Sequence, residues 1–177
     1  MSDQQASTDP AGLHLAPGEH PPVVGAIKLA SQDMTAHHSA RTKARKAALD
    51  VLFQADLLGQ DPLDALDARP ASGAASPRAF TRMIVEGVRE HGADIDQRIM
   101  QAAAGQWTLE RMPRVDRNLA RIAVWELDYT DVPTATAISE ALVLADELST
   151  DESVAFLNGL LGAVAQSRKG TVGQPDC

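Results

Sequence analysis

The chain has 177 residues, enough for one domain with a proper core, and it is acidic, with a formal net charge of -8 and a sequence pI near 5.0. Apolar residues make up 44% and aromatics only 3%, and much of the apolar share is Ala and Leu, so a helical protein packed through small side chains is expected. The single cysteine, Cys177, excludes an internal disulfide framework and a Cys-based zinc site, and no stretch approaches the roughly 20 apolar residues that span a bilayer.

The N-terminus lacks a basic segment followed by an apolar one, so no signal peptide is read and a cytoplasmic protein is expected. Residues 1–40 carry Pro10, Pro17, Pro21 and Pro22 with no sustained periodicity, which predicts a disordered arm. Four histidines (His14, His20, His37 and His38) are scattered through it. They do not make a defined ligand set, so no metal and no cofactor is expected.

From Arg41 the pattern is helical. Ala44, Ala47, Ala48, Val51, Leu52, Ala55 and Leu58 recur at three- and four-residue steps, and Gly59 stops the run. A short helix is expected over Pro62 to Ala68 and a loop over Arg69 to Ala75. Ser76-Pro77 then reads as a cap and a first-turn proline. Phe80, Met83, Ile84, Gly87, Val88 and His91 continue one face until Gly92. Ile95, Ile99 and Ala103 line the next helix, ended by Gly105. Pro113 opens a helix that turns Val115, Leu119, Ile122, Ala123 and Leu127 to the core. After the Asp131-Val132-Pro133 connection, Ile138, Ala141, Leu142, Ala145 and Leu148 form another stripe. Ser149 and Glu152 have capping-box spacing before a last helix carrying Val154, Leu157, Leu160, Leu161 and Val164, and residues 170–177 read as a flexible tail. About seven helices with short loops and no strand predict an all-α bundle.

No phosphate-binding loop, dinucleotide fingerprint, nucleophile elbow or zinc-protease motif is present. His91, alone in the folded region, reads as a packed or capping residue. Glu86, Glu90, Asp94 and Asp96 read as solvated faces, and Trp107 and Trp125 as core or interface anchors. No catalytic residue is assigned.

One feature runs against the global charge. Arg41, Lys43, Arg45 and Lys46 crowd the start of the first helix, where the macrodipole favours carboxylates. Two readings stand: a solvated helix start in which Lys46 pairs with Asp50, or a phosphate-binding surface whose cations fan around the turn and suit single-stranded RNA.

A series of segments in the second half is more specific. Arg117-Asn118-Leu119-Ala120-Arg121-Ile122-Ala123-Val124-Trp125-Glu126-Leu127 is followed by Asp131-Val132-Pro133, Ala137-Ile138-Ser139-Glu140-Ala141 and Phe156-Leu157-Asn158-Gly159-Leu160-Leu161. In that order they closely resemble motifs of the NusB family of bacterial transcription antitermination factors. The basic start resembles the family's R-x-R-x-x-A helix opening. The resemblance covers roughly residues 41–169, the whole expected helical domain.

The resemblance implies two helical subdomains and no catalytic activity. It implies binding of the boxA element of nascent ribosomal RNA transcripts together with ribosomal protein NusE, within the antitermination complex on RNA polymerase. Carried over by position, Arg41, Lys43 and Arg45 match the family's RNA-contacting arginines. Lys46 is an additional cation, and Thr42 stands where the richest patterns have a further arginine. Phe53 falls where relatives carry an aromatic facing NusE, and Glu152 lies in a region near RNA and partner. Gly159 is expected to serve close helix packing. Two other classes remain open on sequence: an RNA module of the kind fused to ribosomal RNA cytosine methyltransferases, and a protein-binding scaffold, a homodimer that hides the basic start.

Overall fold

Wherever apolar residues recur at helical spacing, the computed structural model forms a helix; it describes residues 38–69, 79–103 and 108–169. In chain order these are α1 (Ala40–Leu58), α2 (Pro62–Asp67), α3 (Ala79–Glu90), α4 (Gly92–Ala102), a 3-10 turn (Leu109–Arg111), α5 (Arg114–Tyr129), α6 (Thr134–Leu148) and α7 (Asp151–Lys169). No strand occurs among the described residues, so the expected all-α architecture of about seven helices holds. Apart from residues 38–40 the N-terminal arm lies outside the described residues. So do residues 70–75 of the expected loop, the Ser76-Pro77 cap, Gly105, Trp107 and the C-terminal tail.

Local chemistry sets the helix ends. Ser39 caps α1, its Oγ accepting from the Thr42 N–H at 3.0 Å, and Gly59 ends the helix in the left-handed region at φ 65°, where a side chain would be strained. Asp61 caps α2 just before Pro62. For α7 the expected cap is corrected: Thr150 Oγ1, and not Ser149, accepts from the Ser153 N–H at 3.2 Å. Ser149 instead donates its hydroxyl to Asp116 at 2.7 Å, so no Ser149–Glu152 box forms.

Helix α5 is the axis of the bundle. Eleven of its residues, Asp116 to Ala120 and Ile122 to Leu127, are buried, and α1, α3, α4, α6 and α7 all pack on it. A helix covered on every side is apolar nearly all round, and its polar members must find partners. Arg45 on α1 reaches Glu126, and Asp56 on α1 reaches Arg117, so the two helices run antiparallel. The Thr81 hydroxyl donates to the Ala44 carbonyl at 3.2 Å and fixes the start of α3 on α1. A Cβ at Gly87 would overlap the Trp125 indole and lie 2.8 Å from its Cδ1, so this glycine lets α3 and α5 close on each other.

Two packing expectations are corrected. Met83 is 53% exposed and points off the α3 core face, which Ile84, Val85 and Val88 hold. Gly159 is exposed, and a Cβ there would meet nothing within 4 Å, so close helix packing does not explain it. No helix among the described residues is long and apolar enough to cross a membrane.

Candidate nucleic-acid interface

The basic run divides by helical geometry. At about 100° per residue, Arg41 and Arg45 share one side of α1, and Lys43 lies away from it. Arg41 and Lys43 are exposed. Arg45, one turn deeper, is only 2% exposed, because α3 and α5 pack against α1 there and Glu140 of α6 reaches it. Its Nε donates to both oxygens of Glu126 at 3.1 Å, its Nη2 donates to Oε1 at 2.7 Å, and its Nη1 stands 3.2 Å from Glu140. The expected fan of exposed cations is thereby corrected: Arg45 is committed to a buried ion pair and presents no charge to a ligand.

Lys46 is half-exposed and is held by Glu147 of α6, which also accepts from His38 Nε2 at 2.8 Å. The expected Lys46–Asp50 pair is not the one that forms. The hydrogen bond with Glu147 raises the Lys46 pKa, and the same bond lowers that of Glu147. Among the described residues no carboxylate lies within ion-pair distance of Arg41 or Lys43. Arg41 rests its guanidinium 4.8 Å from the Phe80 ring centre. The uncompensated charge of the run is therefore that of Arg41 and Lys43, on an otherwise acidic protein.

Phe53 is half-buried on α1 and stands outside the apolar core cluster. Four residues on, Leu57 is 52% exposed, and the two make a short apolar strip on the helix surface. Glu152 is exposed in the first turn of α7. It edges a slot of about 150 Å³ whose walls include Met112, Pro113, Ser153 and Phe156. Beneath it, buried Asp116 accepts from the hydroxyls of Ser149 and Ser153, each at 2.7 Å. Sequence reasoning passed over Asp116, because an acid in the first turn of a helix looks like a macrodipole partner.

A groove of about 1010 Å³ was also not anticipated. It lies beside the start of α1, between the start of α3, the end of α5 and the connection to α6, and Arg41, Phe80, Trp125 and Tyr129 line it. Tyr129 is 41% exposed, and one of its faces is covered by His91, stacked at 3.8 Å. The sequence signal was available only as a pairing of distant residues, Phe80 with Tyr129, which no local period reveals.

Comparison with known proteins follows the same segments. The NusB family model matches residues 42–166. The transcription antitermination protein NusB of a Nocardioides species is 50% identical over 131 residues, covering 73% of this chain and 96% of the relative. That of Acidothermus cellulolyticus is 49% identical over 137 residues, covering 77% and 94%. Among solved structures, T. maritima NusB superposes with a TM-score of 0.65 at 28% identity, covering 73% of this chain and 93% of that one. A crystal structure of antitermination factors NusB and NusE in complex with dsRNA shares the fold with a TM-score of 0.60 at 22% identity, covering 72% and 96%.

Proposed function

Because this chain belongs to the NusB family, we propose that it is a transcription antitermination factor that binds boxA RNA of nascent ribosomal transcripts together with ribosomal protein NusE, in the antitermination complex on RNA polymerase. The observation that carries the RNA half is the pair of exposed cations, Arg41 and Lys43, without a carboxylate partner among the described residues. In a chain of net charge -8 a phosphate chain is repelled on average, and two neighbouring exposed cations offer it a place to settle. Lys46 joins them when an RNA phosphate replaces Glu147. Arg45 acts from beneath, fixing the helix that carries them.

Glu152 cannot hold a phosphate. Its carboxylate suits a base amino group or a donor on a protein partner, at the edge of a slot sized for an apolar side chain. Phe53 and Leu57 supply a second apolar contact for NusE. The protein works as an adaptor in the cytoplasm and performs no catalysis; its chemistry is charge, stacking and shape.

The test is fluorescence anisotropy of a labelled boxA-type RNA titrated with this chain, with and without NusE. Tighter binding when NusE is added, lost with scrambled RNA, is expected. No binding to either RNA at low salt, with or without NusE, would replace the adaptor by a protein-only scaffold.

A further inference from the structure

The groove beside α1 combines three features that the phosphate corner does not require. First, it exposes large apolar groups: Met83 is 53% and Tyr129 41% exposed, beside Phe80, Trp125, Val132 and Pro133. Second, Arg41 stands at its α1 lip with its guanidinium over the Phe80 ring, over which Arg45 also lies, so a cation and an aromatic group stand together there. Third, Glu140 lines it with a side chain 22% exposed, and its buried Oε2 has no hydrogen-bond donor among the described residues. The Arg45 Nη1 3.2 Å away neutralises its charge but makes no hydrogen bond with it. An acceptor in that condition costs free energy until a donor arrives.

The charges are also polarised across the groove. Cations lie on the α1 side, while Asp131 and Glu140 lie on the other, and Asp94 stands beyond, accepting from the Tyr129 hydroxyl at 3.5 Å. A phosphate chain lying in the groove would meet those carboxylates. A flat, uncharged ring turned in from a chain held at the α1 lip would not. We propose that the groove receives one splayed base of the single-stranded RNA, stacked among Phe80, Met83 and Tyr129, with its phosphate on Arg41 and an exocyclic amino group donated to Glu140. An apolar side chain from a protein partner would leave Glu140 without its donor. The ligand is thus adenine, cytosine or guanine and not uracil, since only the first three carry such an amino group. This rests on the RNA-binding reading above and adds a base-reading site to it.

The experiment titrates short single-stranded oligo(A), oligo(C) and oligo(U) with the full chain, across a series of salt concentrations. The variants are Tyr129→Ala, Met83→Ala, Glu140→Gln and Lys43→Ala, with circular dichroism confirming that each is folded. Loss of the Tyr129 ring is expected to weaken binding roughly tenfold, as for a lost base–aromatic stack, while leaving the salt slope unchanged because no phosphate contact is removed. Lys43→Ala is expected to flatten the slope by about 0.7. Wild type is expected to prefer oligo(A) and oligo(C) over oligo(U), and Glu140→Gln to narrow that preference. If wild type binds and Lys43→Ala weakens it, but Tyr129→Ala and Met83→Ala both bind within about twofold of wild type, the groove proposal falls and the RNA reading stands. Absence of all RNA binding by wild type overturns both.

Discussion

Replacing Arg45 with Ala separates a structural cation from a ligand-binding one. In the native protein the Arg45 and Glu126 side chains are 3% and 1% exposed and joined by three hydrogen bonds. Removing the guanidinium leaves the Glu126 carboxylate in the interior without a counter-charge, a loss of about 3–5 kcal/mol. For a domain of this size that lowers the melting temperature by roughly 10–20 °C. Lys43 is exposed and has no ion pair among the described residues, so Lys43→Ala should stay within about 0.5 kcal/mol of wild type. Urea unfolding followed by circular dichroism measures both. A double variant, Arg45→Met with Glu126→Leu, supplies the control. It fills the space with apolar atoms and removes the fully buried carboxylate, leaving only the partly exposed Glu140 without its ion pair, so it should recover much of the lost stability. The reasoning would be refuted by an Arg45→Ala protein as stable as Lys43→Ala that binds RNA with a flattened salt slope. Arg45 would then be a phosphate ligand after all.

Three further outcomes follow from named contacts. Gly87→Ala forces a methyl group into the Trp125 indole, and the α3–α5 contact must open, so the urea midpoint should fall by an amount equal to about 1–3 kcal/mol, with a changed near-ultraviolet dichroism. Burial alone would raise the Asp56 pKa, but hydrogen bonds from Arg117 and Asn118 outweigh it and lower the value. A lowered folded value means the contribution is complete above the unfolded pKa of about 3.9 and is lost as pH falls toward the folded one. Asp56→Asn should therefore show a shallower stability loss than wild type below about pH 4 in urea titrations, and equal slopes would count against the linkage. Finally, Glu147→Gln frees Lys46 from an exposed, solvent-screened pair, so RNA affinity at low salt should rise by up to about fivefold; an unchanged affinity would remove Lys46 from the interface.

How far these features could be read in advance depends on the range of the physics behind them. Gly59, Pro62 and the Asp131-Val132-Pro133 connection act within a few residues, and the helix ends expected there lie within one residue of those observed. The α7 cap was misplaced by one residue because Ser149 and Thr150 are chemically equivalent as caps. What separates them is Asp116, which is 33 positions away and takes the Ser149 hydroxyl. Met83 and Gly159 fail for a related reason. Periodicity says which residues share a helix face, but the width of the covered stripe depends on which helices come to lie on it.

The same distinction decides the charges. Arg41, Lys43, Arg45 and Lys46 are equivalent in sequence, and composition assigns them one role. Their partners are Glu126, Glu140 and Glu147, 81 to 101 positions away from Arg45 and Lys46. Only the packing of α5 and α6 onto α1 turns one cation into a core group and another into a restrained one, and leaves two exposed. The carboxylates that make the chain acidic are therefore not only background repulsion against a polyanion. Placed on α5 and α6, they select which cations of α1 remain available. They also bring an unfilled acceptor to the edge of the aromatic groove, where charge alone would have suggested nothing but phosphate binding.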